Sequence, residues 1–367
     1  MLTSTLARRR FAIPGIVRRW PSWAGAAAGI WSLSYAAMAV FWAYGGTGFP
    51  FGEGDPEAAD MGSLLVGARA EVLAAPIAVV CAGSAVVAFS MARPGASFLP
   101  RRLTLFAGWG LAAILVLTIP DVRLMRDFAY FFAGFVGFVD KFDWPTANQI
   151  LCLAGGVVWA GATLDFQRRT RGENPIEVGA ERRIRDAEAW ARRGRYFTIA
   201  AILLPIPYEI TRWAWALGFP VGVTTGAEWI EHCSLQERIG MFVLGALPLI
   251  GGLLTHGLTK RWGEVYPRWI PRRRGRTIPV AVVAVPAALV SILIVTAATS
   301  MQRSWLNEAL GRVPATASDV EGWGAWAPGL VWLPWGLALA AATYAYWRRR
   351  RACDTARRLQ STPEKAR

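Results

Sequence analysis

The chain is poor in the residues that carry most enzyme chemistry. It has two histidines, His232 and His256, and four cysteines among 367 residues. The cysteines form no CxxC pair and no Cys/His spacing that would hold zinc, so no metal is expected. Cys81 and Cys152 fall in apolar runs, Cys353 in a basic tail, and only Cys233 in an expected outer loop. That distribution excludes a disulfide framework. No phosphate loop, GxSxG elbow, HExxH pair, DxxxD motif or paired-carboxylate glycosidase arrangement stands out. No catalytic residue and no cofactor are therefore expected. Lysine is also scarce: 3 of the 40 basic residues are Lys and 37 are Arg.

What is abundant is apolar length. Hydrophobic residues make up 54% of the chain and mean hydropathy is +0.32, beyond what a soluble protein of this size carries. About 20 consecutive apolar residues cross a bilayer core as a helix. Runs of that kind occupy roughly 22–44, 64–91, 103–120, 146–166, 197–218, 238–258, 278–298 and 329–347. The expected fold is all-α: a polytopic transmembrane helical bundle of eight spans. A further apolar stretch, 127–141, is uninterrupted for only about 12 residues, or about 18 Å of helix, and is expected to lie along or dip into the membrane surface.

Arginine orients the spans. The net charge of +15 does not point to nucleic acid, because the basic residues flank apolar runs, as the positive-inside rule requires. The N-terminal tail, the loops 92–102, 167–196 and 259–277, and the C-terminal tail hold most of them. With eight spans, all five segments lie on the cytoplasmic side of the plasma membrane, both termini included. The opposite loops are acidic, above all "GEGDPEAAD" at 52–60. "RRRFAI" at 8–13 loosely resembles a twin-arginine export signal. The long run after it, with no small-residue cleavage site, makes an uncleaved signal anchor the better reading. The expected partners are the lipid bilayer and, at the basic loops, anionic headgroups.

Four correspondences run in the same order along the chain. Tyr35 and Trp42 match Tyr208 and Trp215, each pair followed by a Gly-Phe-Pro turn, at 48–52 and 218–222. Pro76 matches Pro248, "FLPRR" at 98–102 matches "WIPRR" at 269–273, and "GATLDFQRR" at 161–169 matches "AATYAYWRR" at 341–349. The offsets are 173, 172, 171 and 180. This predicts a 4 + 4 parallel internal repeat. The expected organisation is a basic tail (1–20), a first four-helix half (21–169), a linker helix (170–195), a second half (196–350) and a basic tail (351–367).

Charges inside spans are costly, about 2.5–3.5 kcal/mol at the bilayer centre, so they should be paired, hydrated or functional. The candidates are Arg69 and Glu71 in span two, Asp121 and Arg123 at the end of span three, and Tyr208, Glu209 and Arg212 in span five. All are expected toward the outer leaflet. Glu209 and Arg212, at i,i+3, could pair on one helix face, with Arg69 in span two as the other expected partner of Glu209, and Pro205 and Pro207 loosen the helix before them. An ion pair that only fixes packing remains open beside a ligand-binding site.

Segments such as "FWAYGGTGFPFG", "LPIPYEITRWAWALGFPVG" and "LTKRWGEVYPRWIPRRRGRTIPV" resemble a family of actinobacterial multi-pass membrane proteins with no established activity. The resemblance implies topology and no mechanism. Three function classes stay open. The first is transport or binding of a small molecule at an outward-facing polar cluster. The second is a non-catalytic membrane subunit or sensor that engages a partner through its basic loops. The third is a membrane enzyme acting on a lipid-linked substrate.

Overall fold

The computed structural model describes residues 20–93, 99–133, 142–170, 179–223, 228–267, 270, 274–311 and 322–360. Among them the protein is all-α, with an isolated antiparallel bridge between Val265 and Thr277 and no strand. The long helices are α1 (Trp20–Ala43), α2 (Ala70–Ala92), α3 (Arg101–Ala113), α4 (Val122–Ala133), α5 (Trp144–Arg169), α6 (Gly179–Leu203), α7 (Ile206–Ala216), α8 (Leu235–His256), α9 (Val280–Ala309) and α10 (Trp332–Gln360). Residues 1–19 of the N-terminal tail, residues 134–141 of the short apolar stretch, all of "WIPRR" but Ile270 and residues 361–367 of the C-terminal tail lie outside the described residues.

Seven segments are long and apolar enough to cross a membrane: Trp23–Ala43, Ala70–Ala92, Arg101–Thr118, Trp144–Arg169, Leu235–His256, Val280–Ala309 and Trp323–Cys353. Their outward faces are apolar, with Val79, Phe106, Leu254 and Val285 each more than half exposed. Such faces suit hydrocarbon and not water, so the protein has the build of a multi-pass membrane protein. The eighth expected run, 197–218, is instead divided between α6 and α7. Pro205 and Pro207 have no N–H to donate, so the carbonyls of Ala201 and Leu203 lose their ladder partners and the helix breaks at Leu204 and Pro205. Upstream of the break, α6 runs without interruption from the arginine-rich linker across the expected boundary at residue 196.

By internal contacts the chain divides into two compact units. The first gathers Met1–Phe49, Arg69–Leu115 and Leu153–Gly172. Here α1 and α2 pack together through small residues. A Cβ on Gly25 would stand 3.0 Å from Ala92, and one on Gly29 would stand 2.7 Å from the Phe89 ring. These glycines form a GxxxG pattern, which lets two helices approach closely where lipid offers no hydrophobic drive to associate. Trp159, 1% exposed, donates its indole N–H to Ser32 at 3.1 Å. Asp165 pairs with Arg169 at 2.7 Å, one turn along α5.

The second unit gathers Pro50–Ala68, Val116–Cys152 and Glu173–Arg367. α6 and α9 pack on α10, and α7 packs on α8. Ala201, Ile294, Trp335, Ala338 and Leu339 form its core, with Met125 and Trp332 against them. Local chemistry sets the helix ends. The Asp121 carboxylate accepts from the N–H of Arg123 at 2.9 Å, capping α4, and Asp143 accepts from Thr146 at 2.9 Å, capping α5. Ser234 and Glu237 make a capping box on α8, so Glu237 belongs to a helix start and not to a free acidic loop. The Arg238 guanidinium reaches back to the Ala216 carbonyl at 3.2 Å, a cation at the C-terminal end of α7.

Candidate functional site

The candidate residues separate into three groups. Arg69 and Glu71 lie in the first unit. The helix begins at Ala70, not at residue 64, so Arg69 is its N-cap and Glu71 sits in its first turn, both exposed. Gly67, at φ +74°, turns the chain just before them. These two residues are therefore not buried inside a span. Glu71 sits where the helix dipole favours a carboxylate.

Asp121 and Arg123 lie in the second unit, at the join of α3 and α4. Before that join, α3 widens into a π-helical turn over Ile114–Thr118. Asp121 is fully buried and Arg123 is 1% exposed. The Arg123 guanidinium donates to Asp121 at 2.6 Å and, through both terminal nitrogens, to Asp55. Composition presents 52–60 as an acidic loop open to water. The fold instead draws Asp55 in, leaving it 4% exposed, because a bidentate guanidinium replaces its water. Gln149 closes the group. Its amide N–H donates to Asp121 at 2.7 Å and its carbonyl accepts from the Asp121 backbone N–H at 3.1 Å.

A second cation balances the second carboxylate. Arg303 on α9 lies within electrostatic reach of Asp121. It donates to the carbonyls of Gly62 at 3.1 Å and Thr118 at 3.3 Å. The Asp55, Asp121, Arg123 and Gln149 side chains hydrogen-bond one another, so this group ties the 50–68 loop to α4 and α5; beside it Arg303 Nη2 is buried with no acceptor.

Tyr208, Glu209 and Arg212 stand on α7, also in the second unit, and they behave differently. Glu209 is 5% exposed, yet it makes no side-chain hydrogen bond or ion pair with any described residue. The expected pair with Arg212 does not form. The Arg212 guanidinium lies instead 4.6 Å from the Tyr208 ring centroid and 4.3 Å from that of Trp215. One of its nitrogens donates to the Ala325 carbonyl at 3.3 Å. Cation–π attraction of about 0.5–2 kcal/mol is enough to settle its rotamer.

Two buried donors near Tyr208 have no acceptor: Arg212 Nη1 and the Trp332 indole Nε1. The Trp332 ring meets Tyr208 edge-on at 5.7 Å. Buried donors are nearly always satisfied, so two orphans around one ring mark a place where an acceptor is wanted. Tyr130 on α4 lies within electrostatic reach of Tyr208 and Arg212. Burial pushes its hydroxyl above the usual range. Tyr208 and Asp127 act in the same direction, and Arg126 and Arg212 oppose. Arg126 itself is held by Asp127 at 2.9 Å and Glu57 at 3.2 Å.

Asp55, Gln149, Arg303, Tyr130 and Trp332 join these groups only through the fold. Gln149 and Arg303 are visible as polar residues inside or beside apolar runs. Tyr130 and Trp332 carry no such signal, because aromatics are common at membrane interfaces. No group of His, Cys, Asp and Glu that could hold a metal occurs among the described residues. No family model, curated protein or solved structure matches the chain.

Proposed function

We propose that the protein crosses the plasma membrane eight times, with α6 and α7 forming one broken span, keeps both termini cytoplasmic, and binds or transports a small molecule at the Tyr208–Arg212 cluster. The orphan donors Arg212 Nη1 and Trp332 Nε1 carry this reading. They call for a ligand with an acceptor group, such as a carboxylate, phosphate or polarised carbonyl. Glu209, buried beside them in sequence and free of partners, is a protonatable group available to couple binding to proton uptake. The break at Leu204 and Pro205 supports the reading, because discontinuous helices line transporter sites and free backbone carbonyls there.

The 4 + 4 repeat belongs to the same proposal. Both Gly-Phe-Pro turns carry left-handed glycines at each end: Gly48 at φ +83° and Gly52 at φ +50°, Gly218 at φ +89° and Gly222 at φ +73°. Pro76 and Pro248 each lie inside a spanning helix. The arginine-rich segments would then face the cytoplasm and meet anionic lipid.

The test is a thermal-shift screen of the purified protein against small carboxylates and phosphates. A genuine hit keeps its shift in Arg102→Gln and loses it in Arg212→Gln and in Trp332→Phe, which removes the indole N–H together with part of the ring system packed on Tyr208. A hit indifferent to both changes would place the site elsewhere.

A further inference from the structure

Beside the middle of α6, a cleft of about 230 Å³ opens between α6, α10 and the chain just after α8. Trp190, Arg195, Thr259, Ala342, Tyr346 and Arg349 are among the residues that line it. Its level in the molecule follows from three separate helices. The apolar part of α6 starts at Phe197, just beyond Arg195. α8 ends at His256, just before Leu258 and Thr259. The apolar run of α10 ends at Trp347, just before Arg349. All three pass from apolar to basic at the cleft, which is the signature of the headgroup layer. Trp190 meets Tyr344 edge-on at 5.1 Å, and Tyr344 stacks on Trp347 at 5.8 Å, an aromatic belt at the same level.

The cleft has two chemically distinct sides. Its floor is apolar: Leu258, Ala342 and Tyr346 form a buried cluster with Phe197 and Val283. α6 and α10 come close there, and a Cβ on Gly194 would stand 3.0 Å from that of Ala345. Its rim is cationic. Arg349 is fixed in place by Glu264 at 2.7 Å and by the Leu258 carbonyl at 2.9 Å. Arg195 is exposed and has no hydrogen-bond or ion-pair partner among the described residues. One positioned guanidinium and one free one over an apolar floor suit a phosphate with a hydrocarbon chain attached. The volume is below the range of about 300–1,000 Å³ usual for pockets that enclose a whole small molecule. It fits a headgroup whose chains run out along the helices.

We propose that this cleft holds the phosphodiester of an anionic phospholipid, with Arg195 as the free phosphate ligand and Arg349 as the fixed one. The proposal rests on the reading of the basic segments as lipid-facing, and is independent of the Tyr208 cluster. The experiment uses the full chain, purified in detergent. Native mass spectrometry would count retained phosphatidylglycerol and phosphatidylcholine, and a melting curve would follow added phosphatidylglycerol. Wild type and Arg102→Gln should retain phosphatidylglycerol in preference to phosphatidylcholine and gain melting temperature from it. Arg195→Gln, an exposed change that leaves the fold intact, should bind it about fivefold more weakly, the effect of one basic charge at a membrane surface. Equal retention of both lipids, or no difference between Arg195→Gln and wild type, overturns the proposal. Stabilisation by inorganic phosphate matching that by the lipid would mean a free-anion site and overturn the lipid assignment. Loss of lipid binding with the Trp332→Phe screen unaffected would leave the two sites separate, whereas failure at Arg195 alone would not touch the Tyr208 reading.

Discussion

Glu209 and Arg212 stand one turn apart on α7, and the guanidinium lies over Tyr208 and Trp215 instead of pairing with the carboxylate. Aromatic faces have outcompeted an acid at ideal helical spacing. The acid is left buried and alone, an arrangement that costs stability and so points to use.

The first prediction follows from that solitude. Because Glu209 has no described partner to abandon, Glu209→Gln should leave the melting temperature little changed, and Glu209→Met, which removes the uncompensated buried polar group, should stabilise by about 1–3 kcal/mol. Dicyclohexylcarbodiimide, which attacks protonated carboxyls in apolar surroundings, should modify Glu209 and spare Asp55 and Asp121. Peptide mapping reads this directly. A strong fall in melting temperature for Glu209→Gln would show that the carboxylate is structural after all.

Arg123 should behave in the opposite way. Arg123→Met strands two buried carboxylates and should cost about 3–5 kcal/mol. The combined Asp55→Asn, Asp121→Asn and Arg123→Met variant should recover much of the loss. Denaturation in mixed micelles measures both. Equal stability of Arg123→Met and wild type would contradict the hydrogen-bonded cluster.

Gly222 offers a backbone test. It has φ +73°, and a Cβ there would stand 2.5 Å from the backbone nitrogen of Gly324. Gly222→Ala should therefore destabilise by more than the about 1 kcal/mol expected of strain alone. Gly275→Ala, with φ +72° and open space around it, should cost only that strain. If the two variants melt alike, the close approach of Gly222 and Gly324 is wrong.

Orientation can be read with an impermeant thiol reagent on intact cells. In a background lacking native cysteines, Glu228→Cys should label and Glu188→Cys should not; both positions are exposed in the fold. Labelling at 188 would invert the proposed topology.

Much of this architecture is legible because apolar length is a blunt and reliable signal. Seven spanning helices could be marked from it. The 197–218 run reads as one apolar length on both sides of Leu204, while the missing N–H groups of Pro205 and Pro207 divide it into two helices. Asp121 and Arg123 could be picked out as charges at a span's end. Their partner Asp55 could not, since a carboxylate in an acidic loop looks solvated until the fold brings a guanidinium to it. Arg212 was visible and its partner was misassigned, because spacing along a helix does not weigh a carboxylate against two rings.

α6 is one unbroken rod of 25 residues, about 37 Å long, from the arginine-rich segment to the break at Pro205. A rod does not absorb a tilt; it hands it on. The cleft holds that rod at Trp190–Arg195, where it already packs on α10, so an occupant there clamps the rod and leaves the break at Leu204 and Pro205 as the joint about which Tyr208 and Glu209 turn.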